Sequence, residues 1–142
     1  MVNTKIVSRY TGPLPEGVDR SIPGGPLYSA QEVLELLVRG EQAVRVWTLK
    51  CSKDMQKWGL DTDDLVEIIG LALGSGRFIT SEWCMQKPNG AWAACDAYSV
   101  IRDEWIPAAR KEMGMEYYVK FSIGKTGTIM MVVSCHPSEQ RR

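Results

Sequence analysis

Trp83-Cys84-Met85-Gln86-Lys87-Pro88-Asn89-Gly90-Ala91-Trp92-Ala93-Ala94-Cys95 carries the strongest structural signal in this chain. Asn-Gly accepts positive φ at both central positions of a tight turn, so it marks a β-hairpin. Working outward, the apolar and β-prone residues on either side predict strands over 77–87 and 91–101. With Asn89-Gly90 as a two-residue loop, Pro88 pairs with Ala91 and Cys84 falls opposite Cys95. A second hairpin follows. Its strands, 116–123 and 128–135, flank Gly124-Lys125-Thr126-Gly127. Pro137 ends the last strand, because proline cannot donate to a ladder. Between the hairpins, residues 105–114 read as a polar connection around Pro107 with room for one helical turn.

Upstream the periodicity is helical. Ser29-Ala30-Gln31-Glu32 is a capping box. Val33, Leu34, Leu36, Leu37 and Val38 then form an apolar face, and Gly40 stops the helix. Residues 43–47 are ambiguous and read as a short extended link. Residues 48–58 predict a second helix closed by Gly59. Asp61 or Thr62 caps a third, whose broad apolar face is Leu65, Val66, Ile68, Ile69, Leu71 and Leu73, with Gly74 as its end. Residues 1–28 hold Pro13, Pro15, Pro23 and Pro26 and show no periodicity. They read as an extended Pro/Gly-rich arm, either packed along the domain or partly disordered. The domain proper is 29–142. Helices first and strands after indicate an α+β fold, with N-terminal helices packed on an antiparallel sheet of two hairpins.

A chain of 142 residues makes one domain with a single core. No apolar run reaches the ~20 residues of a membrane helix, and the first residues lack an apolar signal core. A cytoplasmic protein without membrane contact is expected. Seventeen basic and seventeen acidic side chains cancel, which argues against indiscriminate nucleic-acid binding but leaves room for a local basic strip. No P-loop, G-x-G-x-x-G, H-E-x-x-H or G-x-S-x-G is present. None of the four cysteines forms a C-x-x-C, so Cys84 and Cys95 are expected as reduced, buried thiols without a bridge, metal or cofactor, a metal site joining Cys84, Cys95, Cys135 and His136 being the alternative that the spacings disfavour.

His136, the only histidine, stands where the last strand runs out. Tyr118 and Lys120 lie on the strand before it. A hairpin that gathers Tyr, Lys and His can transfer protons at neutral pH. Alternation along strands sets a condition. A loop of two or four residues centred on Lys125-Thr126 puts Tyr118 and His136 on opposite faces. A three-residue loop, or a bulge, puts them on one. Arg77, Lys87, Lys120 and Lys125 can form a phosphate-binding strip, or be ordinary solvated charges. Trp47, Trp58, Trp83, Trp92 and Trp105 read mostly as core, and Met113, Met115, Met130 and Met131 as core or an adaptable partner surface.

The order of these pieces resembles a known family. Trp58-Gly59-Leu60-Asp61, Ile68-Ile69-Gly70-Leu71 and Phe78, then Asp96-Ala97-Tyr98, Tyr118-Val119-Lys120 and Val133-Ser134-Cys135-His136, are similar in order and approximate spacing to the MqsR-type toxins. The likeness spans residues 29–136. It implies a RelE-like fold and an endoribonuclease that cleaves single-stranded messenger RNA without metal, on or off the ribosome, and is neutralised by a cognate antitoxin. Tyr118 matches the family's active-site tyrosine, Lys120 a lysine, and His136 stands where the family has a catalytic lysine. Two positions depart. A family lysine falls at Thr80, and a family glutamine at Cys95, or at Ala93 if the alignment is anchored on Trp92. The resemblance therefore carries two expectations: an active ribonuclease using Tyr118, His136 and Lys120, or a binding protein on the same scaffold that occupies a defence or nucleic-acid-processing complex.

Overall fold

In the computed structural model, which describes residues 3–138, three helices precede most of a six-stranded, mostly antiparallel sheet. The ends of the two sequence segments, 1–2 and 139–142, lie outside the described residues. Helix α1 (Ala30–Leu37) begins where the Ser29 side chain accepts from the Glu32 amide, and a 3₁₀ turn at Gly40–Gln42 follows it. Helix α2 (Leu49–Trp58) is capped by Thr48 and closes on Gly59 at φ 66°. Helix α3 (Thr62–Ser75) opens with a reciprocal capping box between Asp61 and Asp64. It runs past Gly74, which carries no break, and is stopped at Gly76.

Gly76 is the tightest point of the turn into the sheet. A Cβ there would stand 2.6 Å from the Ala72 carbonyl oxygen and 2.8 Å from that of Ser99. Both are backbone atoms that cannot move aside. Gly76→Ala is expected to cost about 1–3 kcal/mol, as overpacking does. For a chain of this size that lowers the thermal midpoint by roughly 4–10 °C. An unchanged midpoint in a melting curve would contradict the close approach.

The strands are β1 (Ser21–Ile22), β2 (Val44–Val46), β3 (Arg77–Met85), β4 (Trp92–Ile106), β5 (Lys111–Ile123) and β6 (Met130–Pro137), in the spatial order β1-β3-β4-β5-β6-β2. Four sequence expectations are corrected. Residues 44–46 are not a link but an edge strand, parallel to β6. Residues 105–114 are not a polar connection with a helical turn. They form the far end of a third hairpin, turning at Pro107–Arg110 with Arg110 at φ 55°. The Asn-Gly hairpin has a four-residue loop, because Gln86 donates to Ala91 and Gly90 to Lys87. Pro88 and Asn89 form its corner, with Asn89 at φ 60°, which is the pattern of a type II turn. The register therefore slips by two. Cys84 pairs with Ala93, and Cys95 with Glu82. The cysteines are free and buried, and Cys84 and Cys95 remain diagonal neighbours in one apolar cluster. Finally, not every tryptophan fills the core. Trp83 and Trp92 are buried, while Trp58 and Trp105 are exposed.

One sheet face packs on the helices around Val33, Leu65, Ile68, Ile69, Val119, Phe121 and Val132, and forms the main core. The other face is curled. The Gln86 side chain at the end of β3 donates to the Trp47 carbonyl just beyond β2, 2.9 Å away, across the width of β4, β5 and β6. The described part of the arm lies against the sheet. Ile6 bridges to Trp92 and Ser8 to Gly124, β1 pairs with β3, and Ile22 and Tyr28 are buried. A buried carboxylate also ties the arm down. Asp96, fully buried, accepts from the Leu27 amide at 3.0 Å, the Tyr28 amide at 3.1 Å and the Ser81 hydroxyl at 2.6 Å. No described helix is long and apolar enough to cross a membrane.

Candidate functional site

The last hairpin closes through Gly124, whose amide donates to Ile129, so its loop has four residues, 125–128, with Gly127 at φ 76°. An uninterrupted register from that loop would leave Tyr118 and His136 on opposite faces. It is interrupted. Phe121 pairs with Val132, but Lys120 pairs with Ser134, leaving Val133 as an extra residue on β6. This bulge shifts every later pair by one and sets Tyr118 directly opposite His136. Their rings are 5.6 Å apart between centroids and tilted by 30°.

Reading across the sheet, Arg77 pairs with Ser99, Ser99 with Tyr118, and Tyr118 with His136. These four side chains form one row on the curled face, about 14 Å long at the usual spacing between strands. The adjoining row is Thr80, Ala97, Lys120 and Ser134. Lys120 lies with its ammonium 6.0 Å from the Tyr118 ring centre and 2.7 Å from the Glu82 carboxylate. Thus Tyr118, His136 and Lys120 are brought together, while Arg77 stands at the far end of the row, beyond Ser99. Lys87 lines a cleft that Lys120 also lines, but neither Arg77, Tyr118 nor His136 does. Lys125 does not belong to it. It is exposed on the hairpin loop, and its amide is held by the Val7 carbonyl.

The cleft has a volume of about 800 Å³. Glu82, Cys84, Lys120, Val133 and Ser134 line it from the sheet, residues 18–21 wall one side, and Thr48, Leu49 and Lys50 open the other at the start of α2. Tyr118 and His136 stand one row beyond this lining. The local electrostatics are tightly knit. Burial opposes the charge on Lys120, but the Cys84 sulfur, Glu82 and Tyr118 outweigh it, and its pKa is raised above the ordinary lysine value. Burial also raises the Tyr118 phenol. His136 uses Nδ1 to donate to the Pro137 carbonyl at 2.9 Å, since a carbonyl can only accept, which leaves Nε2 as its free nitrogen.

Several members of the site escape a sequence reading. Glu116 shares the face of Tyr118, and its carboxylate accepts from the Ser99 hydroxyl at 2.9 Å. Simple alternation from Tyr118 would have placed it there. Glu82, Cys84 and Ser99 required the true register. Asp96, part of the Asp96-Ala97-Tyr98 triplet, faces the helix side and clamps the arm, away from the row. Among the described residues no three His, Cys, Asp or Glu side chains gather as a metal-binding group. No protein-family model matches this chain, and neither a curated protein nor a solved structure is significantly similar to it.

Proposed function

We propose that this chain is a toxin-type endoribonuclease of the RelE/MqsR-like kind, acting on single-stranded messenger RNA. The observation that carries this reading is the Val133 bulge, which sets Tyr118 opposite His136 in a row with Arg77 and beside Lys120. The reaction is attack of a ribose 2′-hydroxyl on the adjacent phosphate. It requires a base for the hydroxyl, cations for the phosphorane and an acid for the leaving oxygen. His136 through Nε2 and Tyr118 through its hydroxyl supply the proton transfers. Arg77 and Lys120 flank them and hold the phosphate. Glu82 fixes the Lys120 ammonium over the sheet until a phosphate competes for it.

A second reading is favoured by one observation. The Lys120 charge is already neutralised by Glu82, and Thr80 beside it and the apolar Ala93 and Cys95 add no cation. On that reading the cleft binds a protein partner, and the chain acts by occupying a defence or nucleic-acid-processing complex. Expression in bacterial cells separates the two. The ribonuclease reading predicts growth arrest with fragmented messenger RNA, relieved in the Tyr118→Phe and His136→Ala variants and by a cognate antitoxin. Growth arrest without fragmentation, unaffected by these substitutions, would favour the binder.

A further inference from the structure

Among the described residues, the ladders of β3 and β6 end at Arg77 and Pro137, opposite Ser99 and Tyr117. Strands β4 and β5 run on as a two-stranded ribbon to the turn at Pro107–Arg110. Alternation sorts its side chains onto two faces. One face is anchored to the domain. There Arg102 pairs with Glu104 and with Asp64 and Glu67 of α3, and lies over the Tyr117 ring. The other face continues the curled side of the sheet past Ser99 and Tyr118. Its cross-strand pairs are Ile101 with Glu116, Asp103 with Gly114, and Trp105 with Glu112. All of these residues are exposed, Ile101 by 61% and Trp105 by 60%. Gly114 shapes the surface, because a Cβ there would stand 2.7 Å from Ile101 Cγ2. The isoleucine therefore leans into the space that the glycine leaves.

The charges on this face have one sign. Asp103, Glu112 and Glu116 stand beside Ile101 and Trp105, and the first cation on that side, Arg77, lies one row back opposite Ser99. Among the described residues none of these carboxylates joins an ion pair, and Glu116 accepts from the Ser99 hydroxyl. We infer that this face docks a protein partner through a segment that carries Lys or Arg side chains beside apolar ones. The charge decides the class of occupant. RNA would bring its phosphates against the carboxylates, whereas nucleic-acid affinity rests on cations. A second copy of the chain, meeting the first about a two-fold axis, would set the same carboxylates against each other. A cationic segment gains from each of them, and its apolar residues cover Ile101 and Trp105. Exposed tryptophan is a frequent anchor of such contacts. From Ile101 to Trp105 the face runs about 14 Å, which a segment of about five extended residues spans.

This docking does not depend on RNA cleavage and is tested on the full chain. The probe is a short fluorescent peptide of alternating Lys and Leu, titrated with protein and read by anisotropy. Matched peptides with Glu in place of Lys, or Ser in place of Leu, serve as controls. The Lys/Leu peptide should bind most tightly, and added salt should weaken it. Trp105→Ala and Glu112→Lys should each weaken it at least about tenfold, as loss of an anchor or of a charge partner does. Met113→Ala, on the anchored face of the ribbon, should leave binding unchanged. So should Glu35→Lys, an equal change of charge on α1, which packs on the other side of the sheet. Equal binding by wild type and Trp105→Ala would overturn the proposal, as would equal losses in Glu35→Lys and Glu112→Lys. Two further results would assign the face to another occupant and overturn it as well. One is a dimer in sedimentation that Trp105→Ala dissociates. The other is binding of single-stranded RNA that falls in Trp105→Ala.

Discussion

Replacing His136 by alanine is expected to slow RNA cleavage about 10²–10⁴-fold, the contribution of a well-placed general acid or base. The residue is half-buried at the end of β6, and the Nδ1 bond to Pro137 is its one hydrogen bond among the described residues. Its loss leaves no buried polar group without a partner, so the thermal midpoint should stay close to wild type. His136→Gln, which keeps polar bulk without a titratable ring, should be as impaired. Tyr118→Phe should also lose rate through the hydroxyl alone, since the tilted ring contact with His136 is retained. Single-turnover cleavage of a short RNA, read beside a melting curve, checks all three. Equal rates for wild type and His136→Ala would remove His136 from the chemistry.

The largest effect on stability is expected at Asp96. Its two carboxylate oxygens satisfy two arm amides and the Ser81 hydroxyl in a site closed to water. In Asp96→Ala those donors lose their acceptor, and each unsatisfied buried group costs about 1–3 kcal/mol. A loss of about 3–5 kcal/mol is expected, a large share of the roughly 5–15 kcal/mol that holds a domain of this kind together. Asp96→Asn should cost less. It keeps one acceptor oxygen but turns an amide group toward the remaining donors. The denaturant midpoint measures both. A variant as stable as wild type would show that the arm is held by other contacts. Because residues 18–21 wall the cleft, loosening the arm should also weaken whatever the cleft binds.

What the sequence discloses divides along a physical line. The three helices were legible because their signals are local. Ser29, Thr48 and Asp61 cap them, and Gly59 closes one. Strand β2 was not legible, since three residues carry too little alternation and its partner, β6, lies far along the chain. The third hairpin was hidden for a different reason. Beyond Val100 the two strands extend as a ribbon with exposed Ile101, Trp105 and Met113, so no buried face imposes an apolar period. Its turn, Pro107-Ala108-Ala109-Arg110, contains no glycine or asparagine. An ion-pair cluster steadies it, where Arg102 meets Asp64 and Glu67 of α3 and its strand neighbour Glu104. The register of the Asn-Gly hairpin was misjudged because Asn89 supplies the one non-glycine positive φ in the loop, which shifts the corner to Pro88-Asn89.

The same division holds for the site. Tyr118, Lys120 and His136 could be picked out by residue type and position. Whether they meet depends on Val133, an apolar residue in the run Met130-Met131-Val132-Val133 that nothing local marks as the extra one. Arg77 joins them only because a second irregularity, between Phe78 and Thr80, keeps it paired with Ser99. Bulges of this kind re-aim side chains and are common beside functional sites.

The central claim is that this row cleaves RNA through the 2′-hydroxyl. The most direct measurement uses a DNA oligonucleotide carrying a single ribonucleotide, incubated with the purified protein in excess chelator. The account predicts one cut, immediately 3′ of the ribonucleotide, leaving a 2′,3′-cyclic phosphate and a 5′-hydroxyl, with the all-DNA strand intact. Cleavage of the all-DNA strand, 5′-phosphate ends, or no cut in this oligonucleotide or in a fully ribose strand would contradict it.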